Sequence, residues 1–257
     1  YQWTSLVSQL AECWQPLLQP ETQSDPIPTK IIVANVAGQR VVEALEQWKD
    51  QCWVSSPGIK NAGELSIENI VTPSKAYGVT NAYKQPKLLG VDRWAGLVAA
   101  HHLTSGDACI IDCGTAMTID VIDSEGIHRG GTISPGWEMM CNSLIMNTDG
   151  IREVKNDGNN KTLNLLGDNT WQAIQSGIAA ACVGAVMHVV QRYQKEMHTK
   201  LHCIVSGGAA QKLLPLLMQN LPEQQFQHEP DWVLKGLAII SGDSASKSGV
   251  NKAGVLK

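Results

Sequence analysis

At 257 residues the chain is long enough for one large domain or two medium ones, and either would bury enough apolar surface to fold without disulfides or structural metals. Its 43% hydrophobic and 17% charged residues are those of a globular protein and exclude a disordered or fibrous one. A net charge of −4, with no long run of Lys or Arg, removes the concentrated positive face that nucleic acid or an anionic membrane rewards. Neither is expected as a partner.

The seven cysteines are odd in number, scattered and never spaced CxxC, which suits a reducing compartment and points to the cytoplasm. Cys109 and Cys113 share an apolar run; four strand residues span about 13 Å, beyond the reach of a disulfide.

The chain opens at Tyr1 directly on an amphipathic helical pattern (Leu6, Leu10, Cys13, Trp14, Leu17), so residues ahead of it are expected to be missing. A Pro-rich link from Pro20 to Pro28 leads into a strand over Lys30 to Asn35 and a helix over Gly38 to Asp50, the start of an α/β alternation. A short strand, a Pro57-Gly58 turn and a second strand near Ile70 come next. An apolar helix over Arg93 to His102 stops at Ser105-Gly106-Asp107, which marks a domain boundary: residues 1–106 form one unit and 107–242 another. Beyond it Ala108–Cys113, Thr118–Ile122 and Ile127–Ile133 read as a three-stranded meander with a turn at Asp123 to Gly126, and a helix follows Pro135. Asn169 is an N-cap with Gln172 as capping-box partner, opening a helix whose stripe is Ile174, Ile178, Cys182, Val186, Val189 and Tyr193. Gln175, Ser176, Gly177 and His188 interrupt its apolar stretch, so it reads as a buried helix rather than a membrane span. Leu201–Val205 is a strand running through Ser206-Gly207-Gly208 into a helix, and residues 243–257 read as a mobile tail.

Three blocks carry chemistry. In Asp112-Cys-Gly-Thr-Ala-Met-Thr-Ile-Asp120 an Asp at a strand end can hold a cation, Gly114 removes a Cβ that would block a phosphate, and Thr115 adds a hydroxyl beside backbone N–H groups. A tight turn stabilised by Gly and Asp would use the same residues. Ser206-Gly-Gly-Ala-Ala210 leaves donors at a helix N-terminus, and also suits a sharp connection with no ligand. Asn81-Ala-Tyr83 and Leu89-Gly-Val-Asp-Arg-Trp94 place Asp92 beside Arg93 at a helix start, where a carboxylate can act as base; a cap and a surface ion pair would look alike.

In order, NAYxxPxxLGVDRW, IDCGTAMTID, HRGGTISPG, GDNTWQAIQSG, SGGAA and LKGLA closely resemble type III pantothenate kinases of the actin-like ATPase superfamily. The resemblance spans Ile31 to Ile240. It implies an α/β, two-domain actin-like (ribonuclease H-like) fold with duplicated mixed sheets flanked by helices. It also implies phosphorylation of pantothenate by ATP, with Mg2+ and a monovalent cation, K+ or NH4+, in a homodimer. By the same resemblance Asp92 is the catalytic base, and Tyr83, Gly90, Val91, Asp92, Arg93 and Thr170 bind pantothenate, Thr170 in a pocket completed across the dimer interface. Gly114, Thr115, Gly207 and Gly208 contact ATP, and Asp112 binds the monovalent cation. Such enzymes open with DxGNTxxK, the loop that holds ATP's phosphates; no such segment precedes the first helix here, and truncation is expected. The alternative is a non-catalytic regulatory paralogue of the Bvg accessory factor type. Another phosphotransferase of the superfamily is disfavoured by the GVDRW and GDNT blocks.

Of the remaining polar residues, His101 and His102 read as helix-end residues, and His188, His198 and His202 lack zinc spacing. Trp94 is expected to wall the substrate site, and Glu138 to be a solvated helix position.

Overall fold

The computed structural model describes residues 29–53, 65–151 and 165–242. The predicted first helix, the Pro-rich link, the Pro57-Gly58 turn and the tail lie outside the described residues.

Strand β1 (Lys30–Val33) pairs in parallel with β2 (Ser66–Asn69), and helix α1 (Gln39–Trp48) lies between them in sequence. The predicted helix to Asp50 gives way after Trp48 to a wider π-type turn over Lys49–Trp53, which brings the Trp48 and Trp53 rings to 6.1 Å. Strands β3 (Lys75–Ala76) and β4 (Val79–Thr80) form a hairpin whose turn residues, Tyr77 and Gly78, both have positive φ. That geometry follows the twist of a tight two-residue hairpin.

Helix α2 (Val91–Leu103) leads into the meander β5 (Asp107–Cys113), β6 (Ala116–Ile122) and β7 (His128–Pro135). Helices α3 (Trp137–Asn147) and α4 (Thr170–Met197) follow, then β8 (Leu201–Ser206), α5 (Ala210–Asn220), β9 (Phe226–His228) and α6 (Trp232–Ser241). The main sheet has the order β7-β6-β5-β8-β9, antiparallel from β5 through β7 and parallel from β5 through β9. This mixed order, with helices packed on both faces, is an α/β sheet flanked by helices, the class that the sequence resemblance implies.

Strand alternation divides the core in two. Cys109, Ile111 and Cys113 of β5 face the same way as Ile119 and Val121 of β6 and Cys203 and Val205 of β8, and α4 and α5 cover them. Ala108 and Ile110 face the opposite way with Ile122 and Ile204, beneath Trp94, Leu97 and Val98 of α2 and Trp232 of α6. The long helix α4 has the length and composition of a membrane span. Here Ile174, Ile178, Cys182, Val186 and Val190 are buried against the sheet, as the sequence pattern requires of a core helix.

The α2–α6 contact depends on a glycine. A Cβ on Gly236 of the LKGLA block would strike the Ala95 carbonyl, with Ala95 C 2.5 Å away, so the two backbones meet at a distance no other residue allows. Trp232 closes the same seam by donating from Nε1 to the Gly96 carbonyl at 3.0 Å. Gly236→Ala is expected to force the helices apart and lower stability by about 1–3 kcal/mol, the usual cost of overpacking, which a urea unfolding curve will measure.

Candidate active site

Along the α2-covered face, side chains change from apolar to polar towards the carboxyl end of β5. Ala108 and Ile110 give way to Asp112, Ile122 of β6 gives way to Asp120 and Thr118, and Ile204 of β8 to Ser206. In register, Asp120 is opposite Ile110, and Thr118 is opposite Asp112. The two acidic positions therefore share one face, about 7 Å apart along the strands. The carboxyl ends of strands are where open α/β sheets place their ligands.

The chain reaches this edge twice. Helix α2 runs back along β5, so its first turn, Val91-Asp92-Arg93, returns to the level where β5 ends; 13 helical residues and a seven-residue strand each cover about 20 Å. The β8–α5 connection arrives alongside, because β8 is parallel to β5 and pairs Ser206 with Asp112.

At the first approach, Gly90 has no Cβ to occupy the place of the Asp92 carboxylate: Oδ1 lies 2.6 Å from where a Cβ would stand. That oxygen accepts the Arg93 backbone N–H at 2.7 Å, which anchors Asp92 on the first turn, where the helix dipole favours an anion. Arg93 is buried, contrary to a surface ion pair. Its Nε donates to Asp120 Oδ2 at 2.7 Å and its Nη2 to Asp120 Oδ1 at 2.6 Å. Nη1 donates to the Tyr83 hydroxyl at 2.9 Å. Burial alone disfavours the guanidinium charge, but the bonds and charge of Asp120, with Tyr83, outweigh it and hold the pKa above its ordinary value. Removing one partner of such a pair costs about 3–5 kcal/mol.

Asn81 of the NAY block aims the tyrosine. Its side chain accepts the Tyr83 N–H at 2.9 Å and donates to the carbonyls of Pro73 and Pro86 at 3.3 and 3.2 Å, holding two loop segments together. Thr72 fixes the Leu89 carbonyl just before Gly90 with a buried bond of 2.9 Å. Val91 itself is buried.

At the second approach, the Gly114-Thr115 turn and the Ser206-Gly207-Gly208 loop are laid against each other. Ala209 N–H donates to the Cys113 carbonyl at 2.9 Å, and Ser206 Oγ to Asp112 Oδ1 at 3.1 Å. Gly207, at φ +87°, leaves no room for a side chain: a Cβ would lie 2.5 Å from Asp112 Oδ1 and 2.6 Å from Cys113 C. Gly136 of the TISPG segment packs on the same turn and donates its N–H to the Thr115 carbonyl at 2.8 Å. Thr115 and Gly208 are exposed and Gly114 half-buried, so a glycine-lined surface of backbone groups borders Asp112. Cys113 next to it is no nucleophile, since burial, then the Asp112 charge, pushes its thiol up to about 12.

Thr170 stands apart. It begins α4 on the opposite face of the sheet, where Asn169 accepts the Gln172 N–H at 3.0 Å as the predicted N-cap. Gln172 Oε1 reaches back to the Asp168 N–H, one residue earlier than a capping box would place it. With Met139, Met140, Ser143, Leu144 and Ile174, Thr170 lines a cleft of about 690 Å³ between α3 and α4.

One expectation needs correcting. Trp94 is 0% exposed in the α2–α6 core and walls no site, because it sits one residue, about 100°, around the helix from Arg93. The Arg93 partner was missed as well. Asp120 and His128 form it, and the available signal was a charged residue inside the apolar strand AMTIDVI, which only a buried partner makes tolerable. Glu138 is exposed as expected, paired with Lys212 at 2.7 Å. His101 and His102 end α2, where His102 Nε2 meets the Tyr77 carbonyl at 3.0 Å and the His101 ring fills the space beside Gly78.

Residues 4–192 match the family model described as type III pantothenate kinase. The chain belongs to that family. It is 37% identical over 221 residues to the type III pantothenate kinase of Nitrosococcus oceani, covering 84% of this chain and 76% of that one. It is 32% identical to the enzyme of Azoarcus sp., covering 90% and 79%. Among solved structures, the Baf family transcriptional activator of Campylobacter jejuni aligns over 84% of each chain at 20% identity and a TM-score of 0.49.

If the glycine-lined edge holds phosphates, Gly207→Ala is expected to raise the KM for ATP at least about tenfold while leaving pantothenate binding within about twofold; one clash of this kind at a binding site costs on the order of 1–3 kcal/mol. Steady-state kinetics with each substrate varied in turn will check it.

Proposed function

We propose that this chain transfers the γ-phosphate of ATP to the primary hydroxyl of pantothenate, giving 4′-phosphopantothenate, the first step of coenzyme A synthesis. The observation that carries the reading is the anchored Asp92 carboxylate, on the first turn of α2 at the polar edge of the sheet where the DCGT and SGGA loops meet. In the reaction the substrate oxygen bonds to the γ-phosphorus as the bond to the β,γ-bridging oxygen breaks. ADP departs, and the hydroxyl proton passes to Asp92. Phosphoryl transfer of this kind is mostly positioning and charge stabilisation, and the residues divide along those lines. Gly90 gives Asp92 room, Arg93 and Tyr83 border the acceptor, and Gly114, Thr115, Gly207 and Gly208 face the nucleotide.

ATP brings Mg2+ with it. A monovalent cation, K+ or NH4+, fits at Asp112, where a carboxylate and the Ser206 hydroxyl lie at the strand ends, since oxygen donors suit hard cations. There it would add positive charge beside the phosphates. The five described cysteines that line the core are free thiols, which suits the cytoplasm.

A second copy of the chain completes the proposal. Thr170 lies across the sheet from Asp92 within one chain, at a cleft lined by the exposed apolar side chains of Met139 and Leu144, with exposed Met146, Leu165 and Leu166 close by in sequence. Covering this patch with a partner would bring in Thr170 from the neighbouring protomer and bury a surface that is unusual on a monomer. The reading includes a two-unit division, 1–106 and 107–242, in which α2 is the part of the first unit that docks on the sheet of the second.

Asp92→Asn is expected to keep the melting temperature and lower kcat by about a hundredfold to ten-thousandfold; near-normal turnover would remove Asp92 from the role of base. Leu144→Asp is expected to give a monomer in sedimentation equilibrium with little residual pantothenate turnover. A fully active monomer would show that no second copy is needed.

A further inference from the structure

Asp120 touches none of the groups assigned to the reaction except Arg93, yet it is among the most enclosed charges in the described residues, at 2% exposure. It takes up both Nε and Nη2 of Arg93, at 2.7 and 2.6 Å. It also holds a second partner, since His128 Nε2 lies 2.9 Å from Oδ1, and a carboxylate can only accept, so Nε2 donates. The His128 ring, 1% exposed, is stacked on Tyr83 with centroids 6.1 Å apart and planes within 17°. Space for the cluster comes from Gly131 of the HRGGT block, paired with Asp120 across the sheet. A Cβ there would collide with Asp120 Oδ1 and stand 2.6 Å from Arg93 Nη2.

We infer that Asp120, steadied by His128, is a positioning residue that sets the direction of the Tyr83 hydroxyl proton. Two parallel bonds to one carboxylate fix the plane of a guanidinium. With the plane fixed, one Nη1 hydrogen is aimed at the Tyr83 oxygen, and that oxygen, acting as acceptor, is left to donate its own proton away from Arg93. The carboxylate also compensates the arginine charge within the cluster. Arg93 therefore works as a strut between the sheet and Tyr83, and its backbone N–H ties the same strut to Asp92. The inference rests on the pantothenate kinase reading for the identity of the oxygen that Tyr83 meets.

The test uses the full-length protein. Asp120→Asn is expected to raise the KM for pantothenate about tenfold to a hundredfold, as sub-ångström misplacement does, with the KM for ATP within about twofold. A folded Asp120→Asn with wild-type pantothenate KM, or with equal losses for both substrates, overturns the inference. Because that variant leaves Arg93 without a counter-charge and can unfold, His128→Leu and His128→Gln provide a second comparison. Gln keeps an N–H donor for Asp120, and Leu keeps only bulk. Recovery of pantothenate KM by Gln but not Leu supports positioning, whereas equal behaviour of the two reduces His128 to packing and overturns its part. A readout independent of turnover is the Arg93 Nε–H resonance in nitrogen-labelled protein, expected to exchange slowly in the wild type and in His128→Gln and to lose that protection in Asp120→Asn. A full-length wild-type protein that neither binds nor phosphorylates pantothenate overturns the kinase reading instead, and the Arg93 resonance then still decides whether Asp120 holds the guanidinium.

Discussion

A buried arginine and a buried aspartate hold the working edge of this protein in shape. Arg93 comes from the first turn of a helix and Asp120 from the middle of a strand, and neither would be tolerable in the interior alone. Their union does more than neutralise two charges. It pins the start of α2 to β6, so the carboxylate of Asp92, the hydroxyl of Tyr83 and the strand end at Asp112 belong to one rigid frame. Gly131 on the outer strand and Gly90 at the helix start yield the volume that the frame needs.

Glycine is used with similar economy elsewhere. Gly236 lets α6 lie against α2, Gly207 lets the loop after β8 pass Asp112, and Gly136 lets the segment after β7 close on the Thr115 turn. Each belongs to one of the sequence blocks that mark the family. The blocks are thus places where two backbones must approach more closely than a side chain permits.

Much of this is legible in the sequence. The meander β5–β6–β7, the N-cap at Asn169 and the strand-to-helix passage at Ser206 follow from local pattern, because alternation, turn residues and capping act over a few neighbours. The ion pair is not, because it joins residues 27 apart in sequence and local pattern does not carry a partner's identity. Reading Trp94 as a site wall was an error of the same kind, and the surface ion pair left open for Arg93 fails for the same reason: α2 is buried on nearly every side, and an apolar stripe does not say which polar residue is enclosed with it. The places of β8 beside β5 and of β9 beside β8 likewise depend on pairings far apart in the chain, which local pattern does not carry.

Helix α2 is gripped at both ends. Its first turn is joined to the sheet by Arg93, and its last turn meets the β3–β4 hairpin through His101 and His102, while α6 presses along its length. It therefore moves as part of the five-stranded sheet. If the β1–β2 layer swings towards or away from that sheet, the Asp92 carboxylate keeps its distance from the strand end at Asp112, and the opening and closing is felt only by what the other layer contributes.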